Sequence, residues 1–183
     1  MVDQGQQPPL FEAPDPGLPA DEGYRGPTAC SAAGITYRQL DYWARTGLVE
    51  PSVRTAHGSG SQRLYSFRDV LVLKVVKKLL DSGVSLQNVR TAVGYLRDRG
   101  TADLAGITLM SDGTTIYECT SADEVVDVLR GGQAVFGLAV APVVRELTGS
   151  LRSLPSEKLD GSSVTTSAST DELAQRRSKR SAS

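Results

Sequence analysis

Apolar positions fall into two regimes along the chain. Residues 1–23 and 155–183 carry few of them and show no period, whereas 24–154 is densely patterned. In the patterned part, Pro27 to Ala33 reads as a short helix ended by Gly34. The next stretch, Ile35-Thr36-Tyr37-Arg38-Gln39-Leu40, carries a helix-start signature. Thr36 is a suitable N-cap, Gln39 completes a capping box, and Ile35 and Leu40 take the two positions of a hydrophobic staple. This second helix runs to Thr46 and stops at Gly47. Leu40, Trp43 and Ala44, spaced i, i+3 and i+4, form its buried stripe, which leaves Tyr37, Arg38, Asp41, Tyr42 and Arg45 outside. Two short helices joined by a glycine turn make a helix-turn-helix, whose second helix can enter a DNA major groove.

Leu48-Val49-Glu50-Pro51 then leaves the helix as an extended segment. A Gly/Ser loop with Arg54, His57, Gly58 and Gly60 follows, and Arg63-Leu64-Tyr65-Ser66 returns, which together read as a two-stranded wing. His57 sits at the tip, where a solvated side chain or a phosphate contact is favoured over a metal ligand. Phe67 to Leu80, apolar on one side, and a further helix from Val84-Ser85 through Leu86, Val89, Val93 and Leu96 to Gly100 supply the core.

Beyond Gly100 the period changes. Ile107–Ser111 and Thr114–Cys119 flank Asp112-Gly113 as a hairpin with a type I′ turn. Ser121 and Glu124 open a helix through Val125, Val128 and Leu129 that Gly131-Gly132 ends. Ala134 to Val140 is a strand, and Pro142, at the first helical position, begins a last helix lined by Val143, Leu147, Leu151 and Leu154. The expected fold is mostly α with small β: an N-terminal winged helix-turn-helix over 24–100, then a small β-β-α-β-α domain over 101–154. The Pro-rich, acidic segment 1–23 and the Ser/Thr-rich segment 155–183 are expected to be disordered tails.

Charge sharpens this picture. The net of -1 conceals a block from Arg25 to Gly100 at +7 between acidic flanks, with 101–154 at -4. A basic small domain suits a polyanion, since each Lys or Arg laid on a phosphate releases a condensed counterion. Cys30 and Cys119 stand far apart with one histidine in the chain, so neither a disulfide framework nor a zinc site is expected, and no metal or cofactor is assigned. Paired carboxylates, a nucleophile with its base and a phosphate-cradling glycine loop are all missing from the sequence, which argues against an enzyme. The chain start lacks a signal pattern and no apolar run suits a membrane span, so the expectation is a cytoplasmic protein.

The segments Ile35 to Val49, Gly60 to Ser66 and Asp69, in this order of helix-turn-helix, wing and helix pair, closely resemble the DNA-binding domain of MerR-family bacterial transcriptional regulators over roughly Tyr24 to Gly100. The resemblance implies a homodimer on near-palindromic, double-stranded promoter DNA, acting by distorting the duplex, with RNA polymerase as a further partner. It implies recognition-helix contacts from Thr36, Tyr37, Arg38, Gln39, Tyr42 and Arg45, and wing contacts from Arg54, Ser61, Arg63 and Tyr65. Asp41 departs from the family pattern, and its expected role is to orient Arg38 or Arg45. The chain also lacks the long coiled-coil helix of typical members. The C-terminal unit, through Val143, Leu147, Leu151 and Leu154, is therefore expected to serve as the dimer interface. Two rivals are an excisionase-like DNA-bending factor and a protein-interaction adaptor.

Overall fold

Two glycines set the geometry of the N-terminal helix pair. The computed structural model describes residues 22–55, 62–97, 99, 101–132 and 136–158. A first strand, β1 (Glu22–Arg25), runs into α1 (Gly26–Ala33), which Gly34 ends at φ +73°. Thr36 then caps α2 (Tyr37–Arg45): its hydroxyl accepts from the Gln39 amide at 3.2 Å, and Gln39 returns its side-chain oxygen to the Thr36 amide at 2.9 Å. Gly47, at φ +66°, turns the chain away from the end of α2. Both glycines adopt the left-handed conformation that side chains resist, so the lengths of α1 and α2 are written locally.

The return strand of the wing, β2 (Leu64–Tyr65), precedes α3 (Phe67–Asp81) and α4 (Leu86–Arg97). Among the described residues it meets the outgoing segment through an Arg54–Leu64 bridge and pairs mainly with β1. The wing tip, with His57 and Ser61, lies outside the described residues. A short α5 (Thr101–Leu104) leads to β3 (Thr108–Ser111) and β4 (Ile116–Cys119), then α6 (Ala122–Arg130), β5 (Phe136–Ala139), α7 (Val140–Leu151) and β6 (Glu157–Lys158). The strands form two three-stranded antiparallel sheets, ordered β2-β1-β6 and β4-β3-β5.

Three local expectations change. The hairpin register pairs Ser111 with Ile116, so its loop is the four residues Asp112 to Thr115 rather than a two-residue type I′ turn. Only Gly113 there has positive φ. The Asp112 carboxylate closes the loop by accepting from the Thr114 and Thr115 amides at 2.8 and 2.5 Å, which pulls its pKa down to about 2. Second, α7 starts at Val140, two residues before Pro142, and its first amide donates to the Ile107 carbonyl at 2.9 Å. Third, Glu22 and Gly23 pair with Lys158 and Glu157, so the ends of the two expected tails are stitched into one sheet.

The larger change concerns α7. Val143, Leu147 and Leu151 are 2%, 0% and 5% exposed, and Leu154 packs partly buried on the same cluster. These residues do not form a free dimer interface. They lie in the chain's own core, because α7 folds back across α3 and α1 and joins one hydrophobic cluster running from Tyr24 to Leu151. Burying a leucine such as Leu147 removes it from water for about 1.5–3 kcal/mol. Polar contacts fix the docking. The buried Lys74 amine donates to the Ala32 carbonyl at 2.8 Å and pairs with Glu146 of α7 at 3.1 Å, and Lys78 reaches the same carboxylate at 3.3 Å. Burial opposes ionisation of Glu146, but the two lysines outweigh it and lower its pKa. No helix among the described residues is long and apolar enough to cross a membrane.

Candidate nucleic-acid interface

The outward face of α2 is built from the residues its packing leaves behind. Leu40 and Trp43 are 1% and 3% exposed, locked against the cluster that α1 and α3 share. At 100° per residue, Tyr37, Arg38, Asp41, Tyr42 and Arg45 then fall within an arc of about 140° on the opposite side. Arg38 is exposed, and Tyr37 and Tyr42 are 63% and 49% exposed, the sort of large apolar area a folded chain ordinarily covers. Two guanidiniums, two phenols and an aromatic surface on one rigid helix can hydrogen-bond base edges and phosphates. Thr36 and Gln39 are occupied with each other in the capping box, so their first role is to fix where the helix begins.

Asp41 sits at the centre of this face. Its carboxylate pairs with Arg45 at 2.8 Å and with Arg63, across from the wing, at 2.9 Å. Orientation of Arg45 agrees with expectation. The second partner is Arg63 rather than Arg38, whose guanidinium forms no ion pair among the described residues. The Arg63 hydrogen bond, followed by the charge of Arg45, holds the Asp41 carboxyl below the usual range, and Asp41 in turn raises the pKa of Arg63. The acid therefore joins helix and wing into one basic surface with its arginines held in place.

The base of the wing is pinned by Asp69, third residue of α3. Its carboxylate accepts from the Ser52 amide at 2.8 Å, the Ser52 hydroxyl at 2.7 Å and the Ser66 amide at 2.9 Å. The two ends of the wing are thus held by one buried side chain, and Arg54, exposed, projects beyond them.

Tyr65 is not the surface contact the resemblance implies. It is fully buried, because β2 is paired to β1 and covered by α1 and α3. Tyr65 backs a cleft of about 450 Å³ between α2 and the wing, which Arg25, Tyr37, Asp41 and Arg63 also line. Burial pushes its pKa up to about 12 against the pull of neighbouring Arg63, and the buried hydroxyl has no hydrogen-bond partner among the described residues.

Other basic residues were not singled out by sequence reasoning. Arg97 donates to the carbonyls of Gly47 and Leu48 at 2.7 and 3.2 Å, and Arg90 reaches that of Thr46 at 3.4 Å. Both cations sit on carbonyls just past the C-terminal end of α2, where the helix dipole favours positive charge. Arg25 pairs with Glu157 of β6 beside the same cleft. Arg90 and Arg97, seven positions apart, share one face of α4.

A capped and glycine-bracketed helix with an outward aromatic and basic face, a wing pinned at its base and a covering helix pair define a winged helix-turn-helix DNA-binding protein. The comparisons with known proteins narrow the class. Residues 24–96 match the MerR HTH family regulatory protein model. The chain is 64% identical over 176 residues to HTH-type transcriptional regulators of Mycobacterium tuberculosis and Mycobacterium bovis, covering 95% of this chain and 76% of each relative. It is 31% identical over 74 residues to the HTH-type transcriptional regulator HmrR of Sinorhizobium medicae, covering 40% of this chain and 48% of that one. The chain belongs to the MerR family of DNA-binding transcriptional regulators. The Sinorhizobium match is confined to a stretch about the length of the winged unit, whereas the mycobacterial match takes in nearly the whole chain.

Proposed function

We propose that the protein binds near-palindromic promoter DNA as a homodimer, laying α2 of each copy in a major groove with the wing on the flanking backbone, and regulates transcription by distorting the duplex between half-sites. The observation that carries this reading is the outward face of α2, where Tyr37, Arg38, Tyr42 and Arg45 stand exposed while Trp43 is buried. Arg38, which makes no ion pair among the described residues, is suited to a bidentate base contact. Arg45, Arg54 and Arg63 are suited to phosphates. Distortion of a spacer carries an elastic cost of order 1–6 kcal/mol, which contacts from two copies together can offset. RNA polymerase at the same promoter is the machinery such distortion would act on.

Competition titrations with cognate and random duplex test the division of labour. Arg38→Ala is expected to cost about 1–3 kcal/mol on cognate DNA and much less on random DNA, while Arg63→Ala weakens both alike and lowers the salt dependence. Equal losses on both duplexes for both variants would remove α2 as the reading element.

A further inference from the structure

With α7 in the core, the homodimer needs another surface, and α6 is the described helix whose outer face is left uncovered. Among the described helices of eight residues or more it alone has no buried residue. It rests over β3 and β4, with Val125 and Val128 half-buried. About a quarter-turn from them, at 100° per residue, Ala122, Val126 and Leu129 form a second apolar stripe. That stripe faces water: Ala122 is exposed, and Val126 and Leu129 are 39% and 53% exposed.

The charges along one flank of this stripe are ordered by sign. Asp123 and Asp127 come first and Arg130 last, and none of the three makes an ion pair among the described residues. Asp123 and Arg130 stand seven positions apart, a rise of about 10 Å, so they do not meet on one helix. In a twofold antiparallel pair, like flanks face each other and opposite ends coincide. Asp123 of each copy then meets Arg130 of the other while the apolar stripes close on one another.

We propose that the outer face of α6 is the self-docking surface of this protein, taking α6 of a second copy in antiparallel fashion. The proposal rests on the homodimer reading above and supplies its interface. One nine-residue helix is a small contact beside a standard interface of roughly 1,600 Å². Self-association is therefore weak in free solution and strong when two half-sites hold the copies together.

Sedimentation equilibrium of the full chain, paired with binding to duplexes carrying one or two half-sites, tests it. The wild type is expected to associate reversibly to twice 19.4 kDa and to bind two half-sites cooperatively. Leu129→Glu should weaken self-association by at least about tenfold and abolish cooperativity, with single half-site binding and melting temperature retained. Asp123→Arg and Arg130→Asp should each weaken association, and the double variant should restore it, a rescue that only self-pairing in this orientation provides. A chain monomeric at all concentrations, a dimer indifferent to these changes, or a folded double variant without rescue would overturn the proposal. Failure of the wild type to bind any half-site would sink the DNA reading instead, leaving the charge-swap result to decide the docking surface.

Discussion

Two helices, α2 and α7, were each expected to face an outside partner, DNA for one and a second copy for the other. Only α2 keeps its outward face. Its buried side is Leu40 and Trp43 with the half-buried Ala44 beside them, and everything else on it is polar, charged or amphipathic aromatic. By contrast α7 buries Val140, Ala141, Val143, Val144, Leu147 and Leu151, and Glu146 clamps it to Lys74 and Lys78. An apolar stripe announces that a helix will be covered without saying by what. In a chain of this size a nearby unfilled core is the nearer claimant, since its elements are tethered and a second copy must be recruited from solution. An exposed mixture of tyrosine and arginine is different, because no intrachain core accommodates it, and that is what makes it informative about a partner.

This contrast can be broken by substitution. The largest effect is expected from Trp43→Ala, which opens a cavity where α2 seats on the core and should cost about 3–5 kcal/mol in denaturant unfolding, with DNA binding lost in proportion to folded protein. Leu147→Ala should cost about 2–5 kcal/mol in the same measurement while the folded fraction keeps its oligomeric state. A variant that stayed stable but became monomeric would return α7 to the role of interface. Arg38→Ala should leave the unfolding midpoint within experimental scatter and act chiefly on cognate DNA.

The smallest effect is a pH dependence. The Asp41 carboxyl is held below its ordinary pKa of 3.8 by the Arg63 hydrogen bond and then by Arg45. A depressed carboxylate contributes stability that is complete above the unfolded pKa and is lost as pH falls through the lower, folded one. Asp41→Asn should therefore run below wild type above about pH 4 and converge with it in stronger acid. Parallel curves throughout would show that the carboxylate is not engaged in solution.

What was legible in the sequence follows the range of the interactions. The ends of α2 rest on contacts three or four residues apart, Thr36 with Gln39 and the glycines at 34 and 47, so pattern alone located the helix and its two faces. Asp41 could be read as a partner of Arg45, one turn away, but not of Arg63, 22 residues on. The wing base was invisible for the same reason, since Asp69 finds Ser52 across 17 residues. β1 and β6 are four and two residues long at the edges of polar, low-complexity sequence, and they become strands only through distant pairing, β1 with β2 and β6, and β6 with β1. Tyr65 misled because both residues of β2 are buried, Leu64 and Tyr65 alike, so the alternation that separates inside from outside on a half-buried strand does not operate.

The central claim, that the outward side chains of α2 read DNA sequence, is tested most directly by selection of bound duplexes from a random pool with wild type and Arg38→Ala in parallel. The account predicts that wild type enriches two inverted half-sites spaced by whole helical turns, and that the variant retains the site while losing preference at one position in each half. No enriched site, or an identical one from both proteins, would contradict it.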